Sequence, residues 1–229
     1  AVLPSMMFQR LGRRLREARD LGNYQLVELL GRGGMGEVWG ARHRVVARPA
    51  AVKLVPQDVL DAGTMAGMGE ALRRFEQEAQ ATAALTSPHT IRLFDFGATE
   101  DGNLFYVMVL LTGRSLDSLV KTFGPLPPER ALYLLRQMCH SLAEAHAAGL
   151  VHGDVKPANI FICRMGLDYD FVKVLDFGLV QLVEPNPTDA VTRTAIAIDH
   201  IMGTPGYIAP EAIVNPGRAD GRADIYALG

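Results

Sequence analysis

The stretch His152-Gly153-Asp154-Val155-Lys156-Pro157-Ala158-Asn159, followed after a short predicted hairpin by Asp176-Phe177-Gly178, constrains this chain more than any other feature. Two carboxylates, an amide and an ammonium at this spacing suit a site that binds a metal–nucleotide and takes a proton from a hydroxyl. Asp154 would orient the hydroxyl and Lys156 would neutralise a moving phosphoryl group. Asn159 and Asp176 would hold Mg²⁺.

At 229 residues the chain is long enough for one large domain or for two lobes around a cleft. An apolar fraction of 48% and a charged fraction of 21% belong to a core-forming globular protein. The net charge of -2 gives no global reason to expect a nucleic-acid partner. Cys139 and Cys163 form neither a metal-ligand spacing nor a disulfide framework, so both are expected to be reduced thiols in a cytosolic protein. The longest apolar run, Leu104 to Leu111, is too short to cross a bilayer and reads as a buried strand. No signal peptide is visible, and the chain begins at Ala1 rather than methionine, which suggests that its true start is missing.

Hydrophobic periodicity divides the chain into three parts. Residues 1–23 read as a basic helical extension, with Met7 to Asp20 setting Arg10, Arg13, Arg14, Arg16 and Arg19 against Phe8, Leu11 and Leu15. Its plainest reading is a solvated helix leading into the domain; docking to a membrane surface or a partner has no other support. Residues 24–111 are strand-rich. Tyr24 to Leu30, Glu37 to Arg42, Ala50 to Val55, Thr90 to Phe96 and Leu104 to Val109 are short β-branched or aromatic runs separated by Gly, Pro and Asp. One helix, Glu70 to Leu85, interrupts them, with Leu72, Phe75, Ala79, Thr82 and Ala83 at helical spacing. Residues 112–229 turn helical. Pro127-Pro128-Glu129 starts a long helix, Leu132, Leu135, Met138, Leu142 and Ala145 line one face, and Gly149 ends it.

Gly31-Arg32-Gly33-Gly34-Met35-Gly36-Glu37-Val38 lies between two predicted strands, where glycines let backbone amides approach phosphate oxygens closely. A dinucleotide-binding turn would open a helix, whereas here Glu37-Val38-Trp39 continues into a strand; the Walker lysine is absent too. Lys53, flanked by Ala51, Val52 and Leu54 on the next strand, is not expected to be a freely solvated charge. Glu78 on the following helix is a natural partner. Glu76 competes for that role, but the two lie about 200° apart around the helix and cannot face the same way. A plain surface ion pair worth ~0–1 kcal/mol is the alternative use of Lys53.

Taken together these residues resemble the protein kinase family, specifically bacterial serine/threonine kinases of the eukaryotic type. The resemblance runs from about Tyr24 to the last residue. It rests on Gly31-x-Gly33-x-x-Gly36-x-Val38, Ala51-x-Lys53, Glu78, His152-x-Asp154-x-Lys156-x-x-Asn159 and Asp176-Phe177-Gly178. Gly203-Thr204-x-x-Tyr207-x-Ala209-Pro210-Glu211 and Asp224-Ile225-Tyr226-x-Leu228-Gly229 complete it. It implies an α+β bilobal fold: an N-terminal lobe with a five-stranded antiparallel sheet and one helix, and a mainly helical C-terminal lobe that is incomplete. It also implies ATP and Mg²⁺ as cofactors, with Asp154 as catalytic base, Lys156 beside it, Lys53 on the α- and β-phosphates and Glu78 positioning Lys53. ATP would be enclosed by Leu30, Gly31, Gly33, Gly34, Gly36, Val38, Ala51, Met108, Val109, Leu111 and Phe161. Metal would sit on Asn159 and Asp176, and Thr204 would belong to the platform for protein substrates. Lys156 and Thr204 match the serine/threonine class rather than the tyrosine class.

Three departures from the family pattern carry expectations. Gly153 replaces an arginine that usually pairs with a phosphorylated activation-loop residue, so strict dependence on loop phosphorylation is not expected. Thr192 and Thr194 resemble paired autophosphorylation sites, and Arg193 is an alternative basic partner for a loop phosphate; autophosphorylation would involve self-association. The last residues, Asp224 to Gly229, resemble only the start of a central helix that anchors the catalytic loop through a carboxylate like Asp224. The chain therefore reads as a fragment, and alone it could be inactive. A pseudokinase scaffold is the competing reading, opposed by the presence of Lys53, Glu78, Asp154, Asn159 and Asp176 together. A small-molecule phosphotransferase is opposed by the substrate-platform motif. Family members often continue into a linker, a membrane span and a sensor domain, so cytoplasmic residence of this segment is compatible with membrane attachment of the whole protein.

Overall fold

Val52 and Val107 face each other in neighbouring antiparallel strands, both wholly buried, and the first of two compact units grows around that pair. The computed structural model of the chain describes residues 20–33, 36–56, 65–99, 101–177, 181–182, 204–214 and 220–229. The first unit runs up to Glu76 and takes in Leu93–Leu110; the second comprises Gln77–Arg92 and Leu111–Gly229. The predicted basic helix, Gly34, Gly178, Thr192, Arg193, Thr194 and Gly203 lie outside the described residues.

The first unit is one antiparallel sheet of strands β1 (Asp20–Leu21), β2 (Tyr24–Gly33), β3 (Gly36–His43), β4 (Pro49–Val55), β5 (Leu93–Ala98) and β6 (Leu104–Val109), in the order β1-β2-β3-β4-β6-β5. The five expected strands are all present. The short β1 extends the sheet, pairing Leu21 with Tyr24 inside the stretch read as a separate extension. Side chains alternate between faces along a strand. Ala50, Val52, Phe105 and Val107 pack one face against Tyr24, Leu26 and Ala41. The registered residues Val38, Lys53, Tyr106, Ala51 and Met108 fall on the other. Helix α1 (Met65–Ala84) begins before the expected Glu70, and its Phe75 lies over Tyr106 with ring centroids 6.1 Å apart.

The second unit contains strand β7 (Gly113–Ser115), helices α2 (Leu116–Phe123) and α3 (Pro128–Ala147), strand β8 (Leu150–Val151), a 3-10 turn at Pro157–Asn159, strands β9 (Ile160–Met165), β10 (Asp168–Val174) and β11 (Gln181–Leu182), and helices α4 (Pro210–Val214) and α5 (Gly221–Leu228). Strands β10, β9 and β7 form a small sheet, and β8 pairs with β11. Ser115 caps α2 by accepting the Ser118 amide at 3.1 Å. Pro128 opens α3, where a missing N–H costs nothing. Among the described residues no helix is long and apolar enough to cross a membrane.

Two boundaries differ from expectation. The predicted strand Thr90 to Phe96 divides: Thr90 bridges Val174 and Ile91 N–H bonds Val174 O at 3.0 Å, so the strand of the large sheet starts only at Leu93. On α3 the inward face is Leu134, Gln137, Met138, Ser141, Leu142 and Ala145. Leu132, placed on that face by its apolar character, is 65% exposed. It sits about 200° around the helix from Leu134, so burial of one exposes the other. Leu134, 2% exposed, packs with Met138, Ala145, Ile160, Val172 and Phe177 in the core of the second unit.

This reassignment predicts unequal costs for two similar truncations. Leu134→Ala is expected to lower unfolding free energy by ~2–5 kcal/mol, and Leu132→Ala by less than about 0.5 kcal/mol. Urea midpoints for the two variants check it.

Candidate functional site

In the first unit the ladder between β2 and β3 continues into the glycine turn, pairing Gly31 with Val38, Arg32 with Glu37 and Gly33 with Gly36. Gly36 adopts φ +117°, and a Cβ there would overlap the Leu54 carbonyl oxygen, so only glycine closes this turn. Over Gly31 and Gly33 an added Cβ would meet nothing within 4 Å, which leaves their backbone open to close approach by a phosphate. Arg32 reaches across the hairpin to Glu37 at 2.8 Å, and Glu37 also accepts the Trp39 indole N–H at 2.8 Å.

Lys53 is 8% exposed, with its ammonium 5.6 Å from the Tyr106 ring centroid. Its burial follows from the flanking apolar strand and from the aromatic ring opposite. Ala51 and Met108 are buried beside it, Val38 and Val109 are half-buried, and Leu30 is exposed. Leu111 and Phe161 belong to the second unit, where both are half-buried; Phe161 pairs with Ser115 and Lys173. Glu78 is on α1 as expected, and its side chain lies outside the described residues.

The second unit gathers four of the expected residues at one carboxylate. Asp154 Oδ2 lies 2.6 Å from the Lys156 ammonium and accepts the Asn159 amide at 3.1 Å, while Oδ1 accepts the Thr204 hydroxyl at 2.8 Å. Lys156 also donates to Thr204 Oγ1 at 2.6 Å, closing a ring of contacts. The same Asn159 amide bonds the Asp154 carbonyl at 2.9 Å, bracing the 3-10 turn against the loop. Three donors address this carboxylate, two at Oδ2 and one at Oδ1, so Asp154 is held in one orientation. Asp176 follows β10 with φ +51°, a left-handed conformation that aspartate tolerates better than most residues. Next to it Phe177 is 2% exposed and lies 4.7 Å from the His152 ring.

The loop from His152 to Lys156 has little regular structure of its own and is held from outside. Asp224, 1% exposed on α5, accepts the His152 amide at Oδ2 and the Gly153 amide at Oδ1, both at 2.9 Å. This is the anchoring role expected for it. Its Oδ2 also accepts His146 Nε2 at 2.7 Å from the last turn of α3. Gly221 lies against that imidazole; a Cβ there would come within 2.7 Å of Nδ1. Gly153 itself takes φ +75°, so the residue that stands in place of the usual arginine also lets the loop turn without strain.

His152 is fully buried, and desolvation pushes its imidazole below the ordinary value despite the nearby charges of Asp224, Asp176 and Asp154. Nε2–H donates to the Leu175 carbonyl at 2.9 Å and Nδ1 accepts the Asp154 amide at 3.2 Å, an arrangement that only the neutral ring can make. His146, Gly221 and the neutral state of His152 were not legible in the motif. The only signal was polar: His146 ends a helix whose inward stripe is otherwise apolar apart from Gln137 and Ser141.

A family model described as the protein kinase domain matches residues 24–229. The chain is 36% identical to the serine/threonine-protein kinase pkn2 of Myxococcus xanthus over 91% of its own length and 23% of that protein. It is 39% identical to PknH of Mycobacterium tuberculosis over 90% of its length and 30% of that protein. The PknI kinase domain of Mycobacterium tuberculosis, solved as a double mutant, superposes with a TM-score of 0.70 at 27% identity, covering 91% of this chain and 70% of that one. The chain thus spans from 23% to 36% of the length of the curated relatives pkn2 and pkn3.

Burial of neutral His152 sets a pH dependence. Its folded pKa lies below the unfolded one, as does that of His89, lowered chiefly by burial. Their stabilisation is therefore complete above the ordinary histidine value of 6.5 and is lost as pH falls through it, when the unfolded chain binds the extra protons. The unfolding free energy is expected to fall between about pH 7 and pH 5, by up to ~1.4 kcal/mol per pH unit for each histidine, and thermal midpoints fall with it. A flat or rising midpoint over that interval contradicts burial as neutral rings.

Proposed function

Because this chain belongs to the protein kinase family, alongside bacterial serine/threonine kinases, we propose that the protein transfers the γ-phosphoryl group of ATP to serine or threonine hydroxyls of protein substrates. The observation that carries this reading is the Asp154 carboxylate fixed by Lys156, Asn159 and Thr204. Asp154 orients the substrate hydroxyl and accepts its proton as the oxygen–phosphorus bond forms and the bond to the β-phosphate oxygen breaks. Lys156, already beside the carboxylate, offsets charge on the phosphoryl group in flight. The bare glycine backbone at Gly31 and Gly33 and the buried Lys53 suit the phosphates of the nucleotide.

The donor set fits magnesium. Asn159 and Asp176 offer hard oxygens, and Mg²⁺ takes one or two such ligands alongside phosphate oxygens and water. Bound there, the cation would screen the negative charge of the phosphates. Thr204, bonded to both Asp154 and Lys156, places the segment leading to the buried Ala209 and α4 next to the base, which supports a protein hydroxyl as acceptor.

Lys53→Ala and Asp154→Asn are each expected to reduce transfer of labelled γ-phosphate by ~10²–10⁴-fold. Full transfer by both variants would overturn the roles. With Gly153 in place of arginine, phosphatase-treated protein is expected to keep most of its activity, with mass spectrometry reporting on Thr192 and Thr194. Near-complete loss, regained on autophosphorylation, would show that another group such as Arg193 reads a loop phosphate.

A further inference from the structure

Glu144 stands in the last turns of α3 outside the set just described, yet both oxygens of its carboxylate are engaged by the segment that follows α1. Oε1 accepts the Thr86 amide at 2.7 Å and the Thr86 hydroxyl at 2.6 Å, and Oε2 accepts the Ser87 amide at 2.7 Å. Bonds from Thr86, hydroxyl first and then amide, hold the Glu144 carboxyl below its ordinary range, so it is ionised and the bonds are charge-assisted.

Residues 86–91 continue from this tie as a strap between α3 and β10. Ser87 Oγ accepts the His89 amide at 3.2 Å, and the Thr90 hydroxyl meets the Ser141 hydroxyl of α3 at 2.7 Å. On the other side Val174 N–H bonds His89 O at 2.8 Å, Ile91 N–H bonds Val174 O at 3.0 Å, and the buried Lys173 ammonium donates to Thr90 O at 3.1 Å. Val174 is the last residue of β10, two positions before Asp176. Leu175, between them, is held by the catalytic loop through Asn159 O at 2.8 Å and His152 Nε2 at 2.9 Å. The strand end that delivers Asp176 is thus gripped by the loop on one side and by the strap on the other. Three serine and threonine residues of the strap bond to α3, Thr86 and Ser87 at Glu144 and Thr90 at Ser141, and of these two α3 partners only Glu144 is charged.

We propose that Glu144 is a positioning residue that acts through the 86–91 strap to hold the end of β10, and with it the metal-binding carboxylate of Asp176. It touches neither substrate nor metal. The proposal rests on the kinase reading for the role of Asp176 and on the hydrogen-bond path for everything else.

Amide hydrogen exchange and Mg²⁺-dependent transfer on the full chain test it together. In Glu144→Ala the amides of Thr86, Ser87, Ile91 and Val174 are expected to exchange faster. Those of His152 and Gly153, held by Asp224, stay protected. Transfer is expected to fall about tenfold at low Mg²⁺, with much of the loss recovered at saturating Mg²⁺. Glu144→Gln, which keeps size but turns an amide NH₂ toward one donor, is expected to give the same pattern at smaller amplitude. It keeps the question answerable if the alanine variant does not fold. In an Asp176→Asn background the substitution should add no further change in Mg²⁺ requirement. A purely structural role would speed exchange everywhere and leave the Mg²⁺ requirement untouched; either result overturns the proposal. So does opening of Thr86 and Ser87 with Ile91 and Val174 unchanged. If the unaltered chain transfers no phosphoryl group, the exchange pattern alone decides whether Glu144 holds β10: unchanged exchange at Ile91 and Val174 overturns the proposal.

Discussion

A single buried carboxylate, that of Asp224, organises the loop that carries Asp154. Asp224 accepts two loop amides and one imidazole, and the loop it holds has no ladder of its own except at Leu150 and Val151. Backbone amides buried without a partner cost ~1–3 kcal/mol each, and a charged acceptor strengthens the bonds that replace water. Against a total stability of only ~5–15 kcal/mol, an interaction of this size determines whether the loop has one conformation or several. The absence of a side chain at Gly221 is part of the same arrangement, because the His146 ring occupies that space.

Helix α3 fastens several parts of the second unit, among them β8, β10 and α5. Its apolar face packs against β9 and β10, while polar groups along its margins tie down backbone that the sheets leave unpaired. Gln137 donates to Asp170 O at 2.9 Å and accepts the Val172 amide at 3.1 Å, bridging the irregularity in β10. Arg130 grips the Asp170 carboxylate with two bonds of 2.8 and 2.7 Å, supporting a residue at φ +52°. Ser141, Glu144 and His146 continue the series toward the strap and the loop. Polar residues on an inward helix face are costly unless satisfied, and here each satisfies a strand or loop that has to be held.

The first unit separates its tasks by strand parity. Val52 and Val107 point to the face that makes the core, and Lys53, one residue along, points to the other with Ala51 and Met108. A shift of register by one residue would exchange the two faces, so the position of the lysine and the stability of the sheet are secured by the same pairing.

Residue chemistry and local periodicity were enough for the five principal strands and the long helix, and the resemblance of the ordered motifs supplied the family. Those features are written in side-chain type and short-range spacing. The anchoring of the loop by Asp224 was legible by resemblance alone. The division of the Thr90–Phe96 run depended on competition between two sheets for the same backbone, which no local pattern records. The exchange of Leu132 for Leu134 depended on which side of α3 met the core, a choice between two equally apolar residues about 200° apart. His146 at Asp224, Gly221 beneath its ring and Glu144 on the strap join residues distant in sequence, and each is polar or small for reasons visible only once the chain has closed. The sequence by itself determined which chemical groups were available; the tertiary structure decided which of them are held in place, because hydrogen bonds to buried backbone are made across the fold.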